Sequence, residues 1–165
     1  ITAADYIDDN GDDDGGGGGF DGGGGTGGDT WPANAAGAGV GAAAPVADVS
    51  AALFGAGRVG LPVVLDVGFG GGESLIGLAA ARPGANFLGA EPHRPGVATA
   101  LSRAAALGLS NVKVSHLDAV ELLTYHLPAG SISECNIFFP DPFPGEGSAP
   151  RRLVRPLLVR LLESR

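Results

Sequence analysis

PVVLDVGFGGGES, residues 62–74, joins a β-branched apolar run to a glycine cluster and then to a carboxylate. The run predicts a buried strand, and the glycines predict a tight turn into the helix ESLIGLAAARPG (73–84). Its apolar residues fall at helical spacing and it stops at Pro83 and Gly84. The rhythm repeats outward from there. NFLGAEP (86–92), VKVSHL (112–117) and SISECNIFFP (131–140) read as further strands, with GVATALSRAAALGL (96–109) and DAVELLTYHL (118–127) as the helices between them. PRRLVRPLLVRLLESR (150–165) reads as a last helix that Pro156 kinks or delays. Upstream, VADVSAALFG (46–55) predicts a short helix leading in. Strand and helix alternate, which predicts an α/β fold with a parallel sheet and right-handed crossovers.

The turn DVGFGGGES sets Gly68, Gly70 and Gly72 between strand and helix. Such a turn brings bare backbone N–H groups and the positive end of a helix close to an anionic group. The same turn also serves as a plain connection without a ligand. A dinucleotide fingerprint GxGxxG beginning at Gly68 needs glycine at 73, where the chain has Glu73, whose carboxylate would oppose a pyrophosphate. A phosphate loop needs glycine-lysine followed by serine or threonine, and the sequence has none. Asp66 followed by GxGxG suits a smaller zwitterion, with amides for its carboxylate and an aspartate for its ammonium. S-adenosyl-L-methionine carries both groups.

Two more carboxylates fall at strand ends. Glu91 follows Gly68 by 23 residues, about the spacing at which an acid grips ribose hydroxyls in doubly wound folds. Asp118 follows the third strand, where an acceptor can take an adenine amino group. Each has a plainer alternative: Asp118 makes a good helix N-cap, and Glu91 can be a solvated strand end. Three acids at three successive strand tips predict one crevice at the carboxyl edge of the sheet, where open α/β folds bind ligands.

The fourth strand ends in FFPDPF (138–143). Together with VLDVGFGGG, NFLGAEPHRPGVATAL, GLSNVKV and DAVELL, this segment resembles the tRNA (guanine-N7-)-methyltransferase family in its bacterial single-subunit form, without a gap from about residue 52 to residue 160. The resemblance implies a Rossmann-like class I methyltransferase that uses S-adenosyl-L-methionine, without a metal, to form 7-methylguanosine in the variable loop of tRNA. It further implies that Asp66, Glu91, Asp118 and Asp141 contact the methyl donor and that Gly68, His93 and Ala119 line the same pocket. Asp141 is also implied to be catalytic, and Arg151 and Arg152 to meet the tRNA. Pro140 and Pro142 restrict the backbone on both sides of Asp141, which lowers the entropy of holding its carboxylate in place.

Two departures from that family stand out. Its basic stretch after the aspartate is replaced by FPGEGSAP (143–150), which keeps the spacing but loses the charge, so weaker tRNA binding is expected. Sheets of the resembled class have seven strands, whereas four are legible here. The chain is therefore expected to be the donor-binding, N-terminal part of the fold (46–165), apparently truncated after four parallel strands. An apolar edge beside SISECNIFFP would need later strands or a partner chain to cover it. A non-catalytic remnant or partner subunit that keeps the donor pocket is the alternative reading, and a nicotinamide enzyme a weaker one.

Composition frames these expectations. Residues 1–57 hold nine aspartates, no lysine or arginine, and more than half of the chain's 30 glycines. Residues 1–45 are thus expected to be a disordered tail, because glycine-rich acidic runs lose much backbone entropy on ordering and bury little in return. The formal charge of −8 belongs to that segment; the remainder is close to neutral, with Arg151, Arg152, Arg155, Arg160 and Arg165 crowded at its end. The single Cys135 has no disulfide partner within the chain and sits in an apolar run. No run of 18 apolar residues suggests a membrane span, and an acidic amino terminus without arginine argues against a secretory or transit peptide. A cytoplasmic or organellar location follows as the expectation. The chain begins at Ile1 and contains no methionine, and is read as a fragment.

Overall fold

The computed structural model describes Tyr6, Ile7 and residues 46–165. The glycine-punctuated segment forms as expected: β2 (Val63–Val67) enters the turn and α2 (Glu73–Ala81) leaves it. β3 (Asn86–Ala90), α3 (Arg94–Ala106) and β4 (Val112–Ser115) follow, with Pro95 in the first turn of α3, where its missing N–H is not needed. After α4 (Ala119–Glu121) the chain widens into a π-helical turn at Leu122–His126, then runs into β5 (Glu134–Ile137). The expected last helix is divided. A 3₁₀ turn at Glu146–Arg151 comes first, and α5 (Pro156–Ser164) starts at Pro156, so the proline delays the helix and does not kink it. The leading helix α1 spans Val46–Phe54.

All strands run parallel in the order β1-β4-β3-β2-β5, where β1 is the dipeptide Tyr6–Ile7 paired with Val114 and Ser115. This strand lies within the segment expected to be a tail; the rest of residues 1–45 lies outside the described residues. The chain progresses from β2 to β3 to β4 in one direction and then places β5 on the opposite side of β2. A reversal of this kind opens a crevice at the carboxyl ends of the strands, here above β2. β5 stands at the sheet edge among the described strands, with Cys135, Asn136 and Ile137 half-buried.

Side-chain alternation divides the interior into two layers. Val63, Leu65, Val67, Leu88 and Ala90 face α1, the α4 segment and α5, and Leu158 of α5 is fully buried among them. Val64, Phe87, Val112 and Val114 face α2 and α3, packing on Leu75, Ile76, Val97 and Ala100. Specific polar ties join the elements. Asn111 donates to the carbonyls of Ala79 (2.9 Å) and Ala85 (3.1 Å), closing the α2–β3 connection, and Arg82 makes a bidentate pair with Glu134 that ties α2 to β5.

Candidate active site

The glycine turn has a conformation only glycine holds easily: φ is +70° at Gly68, +57° at Gly70 and +81° at Gly72. Gly72 is also sterically required, since a Cβ there would lie 2.6 Å from that of Ala100 in α3. A Cβ on Gly96 would likewise strike the carbonyl oxygen of Gly70, so the start of α3 packs directly on the turn. Arg103 clamps the same place from α3, donating to the Gly71 carbonyl (2.8 Å) and pairing with Glu73. Glu73 is thus occupied with Arg103 at the position where a dinucleotide fingerprint needs glycine.

Glu91 is buried at the end of β3 and holds the turn from the other side. Its Oε2 accepts from the Gly70 N–H at 2.9 Å and its Oε1 from the His93 N–H at 2.8 Å. Each oxygen keeps further acceptor capacity, since a carboxylate has about four lone-pair sites. Asp118 does what an N-cap does, its Oδ1 accepting from the Val120 N–H at 2.8 Å. The two readings of this residue do not compete, because Asp118 also faces the crevice.

Gly68, Glu91, Asp118, Ala119, Asp141 and Arg151 line one cavity of about 280 Å³, together with the phenylalanines Phe138, Phe139 and Phe143. It sits where the strand order reverses. Three expected residues stand outside its wall. His93 is exposed and contributes its backbone N–H to Glu91. Arg152 is exposed and donates to the carbonyls of Phe143 and Gly145 (both 3.2 Å), folding the 143–152 loop back on itself.

Asp66 lies one residue before the wall residues Val67 and Gly68, fully buried, with Oδ2 lacking a hydrogen-bond partner among the described residues. Burial raises its carboxyl from 3.8 to about 6. An orphaned buried acceptor is costly unless a ligand or water completes it. Cys135, beside it on β5, is pushed up to about 11, by burial first and then by the Asp66 charge, so the thiol is a poor nucleophile.

The loop after β5 holds features the sequence did not announce. Phe139 and Phe143, each before a proline, have φ of +50° and +37°, outliers worth roughly 1–3 kcal/mol apiece. Arg151 lies over the Phe143 ring, 4.6 Å from its centroid. Only the sequence order Phe-Pro-Asp-Pro-Phe-Pro hinted at a rigid segment; the sign of φ was not legible.

A doubly wound parallel sheet, a left-handed glycine turn and carboxylates at successive strand ends define an α/β fold of the Rossmann-like methyltransferase type. Residues 61–165 match the family described as "Putative methyltransferase", and the chain belongs to that family. It is 48% identical over 104 residues to a tRNA (guanine-N(7)-)-methyltransferase of Halorhodospira halophila, an alignment covering 63% of this chain and 45% of that protein. Proteins of the same name match from Methylococcus capsulatus, at 44% identity (63% and 45% covered), and from Nitrosococcus oceani, at 48% (61% and 42%). The chain therefore spans less than half the length of these relatives. Among the described residues no helix is long and apolar enough to cross a membrane, and no cluster of three metal-ligating side chains occurs.

Proposed function

We propose that the cavity binds S-adenosyl-L-methionine and that the protein transfers its methyl group to N7 of a guanine in the variable loop of tRNA. The observation that carries this reading is the placement of Asp141, between two prolines, on the same wall system as Gly68, Glu91, Asp118 and Ala119. The names of the relatives support the tRNA guanine as acceptor.

The residues fit the donor. The Gly68 and Gly70 positions have open space where a side chain would stand, so a ligand can approach the backbone. Glu91, fixed by two N–H groups, is oriented to accept from ribose hydroxyls, and Asp118 and Ala119 offer the adenine a place at the β4 end. The orphaned Oδ2 of Asp66 supplies an acceptor for the ammonium, directly or through water. The sulfonium supplies an activated methyl group.

Chemistry then asks little of the protein. Guanine N7 is an acceptor with a free lone pair, so no base has to remove a proton first. The lone pair attacks the methyl carbon, and the carbon–sulfur bond electrons leave on sulfur as a thioether. In-line alignment supplies up to roughly 7–11 kcal/mol of the barrier reduction. Asp141 holds the N–H edge of the guanine and offsets the positive charge that grows on the ring. Arg151, which lines the cavity, and Arg152 contribute phosphate contacts.

The test measures donor binding by calorimetry and methyl transfer from labelled donor to unmodified tRNA. Micromolar donor binding that reduced nicotinamide cofactor does not displace, with transfer lost in Asp141→Ala, is the expected result. Absence of donor binding overturns the reading of the cavity; near-normal turnover of Asp141→Ala at saturating tRNA and donor overturns the role of that residue.

A further inference from the structure

Phe139 and Phe143 each precede a proline, a placement that sterically favours extended backbone at negative φ, yet both have positive φ. Bulky residues rarely hold that conformation, and it persists where the surroundings impose it, commonly at binding sites. Phe139 belongs to neither core cluster and is 97% exposed. A strained backbone thus keeps an apolar ring in water at a residue that lines the same cavity as Asp141. Phe143 differs, because it is half-buried and the Arg151 guanidinium already covers one of its faces.

An open aromatic face and a carboxylate from residues lining one cavity are the combination that holds unstacked nucleobases: the ring stacks on the base while the acceptor reads its N–H edge. Two purines belong to the proposed reaction, the adenine of the donor and the guanine of the acceptor. Phe139 stands on the β5 side with Asp141, away in sequence and strand order from Asp118 and Ala119 at the β4 end. We infer that Phe139 is the stacking platform for the guanine that receives the methyl group. This rests on the methyl-transfer reading above and adds to it the residue that positions the base. The left-handed backbone presents the ring before the base arrives, so none of that ordering falls on the binding step.

The test is an NMR titration of the chain with guanosine 5′-monophosphate and, separately, with S-adenosylhomocysteine, in the native protein, Phe139→Ala and Phe139→Trp. The guanosine nucleotide is expected to move the Phe139 ring resonances upfield. Phe139→Ala should weaken that nucleotide about tenfold or more and Phe139→Trp should restore it, while S-adenosylhomocysteine affinity changes less than about twofold. Because the ring is almost fully exposed, the thermal midpoint of Phe139→Ala should match that of the native chain, which separates a binding loss from a folding loss. If the nucleotide shifts residues around Asp141 but leaves the Phe139 ring in place, or binds Phe139→Ala normally, the stacking inference is wrong and the methyl-transfer reading stands. Loss of S-adenosylhomocysteine affinity in Phe139→Ala assigns the ring to adenine and overturns the inference. A nucleotide that shifts nothing around the cavity removes the inference together with the guanine assignment.

Discussion

At the scale of single residues, Asp66 is the most informative. Its carboxyl is raised by burial to about 6, so between roughly pH 4 and 6 the folded chain binds a proton that the unfolded chain releases. Its contribution to stability is therefore greatest in acid and declines as the pH rises through that window. Asp66→Asn is expected to stabilise the ligand-free chain by about 2–3 kcal/mol near pH 7.5 and by almost nothing near pH 4, as urea denaturation at the two pH values will read. The same substitution should weaken the methyl donor about tenfold or more, because a neutral amide does not compensate an ammonium. Stability gained at the expense of ligand affinity is the signature of a group kept for binding. Cys135 offers a second check: its thiol should alkylate slowly in the native chain near pH 8 and rapidly once urea exposes it.

At the scale of elements, the glycine turn between β2 and α2 joins fold and site. Gly72 is needed for two separate reasons, its positive φ and its contact with Ala100, whereas Gly68 has the φ without the crowding. Gly72→Ala should therefore cost about 2–4 kcal/mol, through backbone strain and overpacking against α3. Gly68→Ala should cost only about 1 kcal/mol of stability but at least about tenfold in donor affinity, since its Cβ would enter the cavity. Thermal melts and calorimetry on the two variants distinguish the roles. The strands and helices around the turn were legible in sequence because their apolar periods of two and 3.6 are local properties. The division of the last helix was less so: Pro156 signalled a break, and whether it kinks a helix or begins one depends on what α5 packs against, here the Leu158 pocket.

At the scale of the whole molecule, the sheet edge and the charge distribution matter most. β5 presents half-buried Cys135, Asn136 and Ile137 at an edge, the sort of surface that pairs with another strand. Affinity for tRNA should be limited by charge. Arg152 is engaged with loop carbonyls, Arg151 with Phe143, and the segment 143–150 carries no basic residue. The slope of log affinity against log salt should accordingly be shallower than that of the Halorhodospira halophila relative measured with the same tRNA, since each phosphate contact adds to that slope. An equal slope would show that the arginines of the last helix replace the missing basic stretch.

The sequence by itself determined the alternating α/β order, the glycine turn, the acidic strand tips and the proline-bracketed Asp141, because each is written in local composition and spacing. The tertiary structure alone decided which of those residues share a cavity. Placing β5 beside β2 brings Asp141 to Gly68, Glu91 and Asp118, a consequence of strand order that no local pattern encodes. The fold also set Asp66 beneath the wall and paired Tyr6–Ile7 with the edge, a strand too short to leave a periodic signal, and Phe139 and Phe143 stand at positive φ. Before a proline, local sterics favour the opposite sign, so the positive φ of Phe139 and Phe143 could not be read from the local sequence.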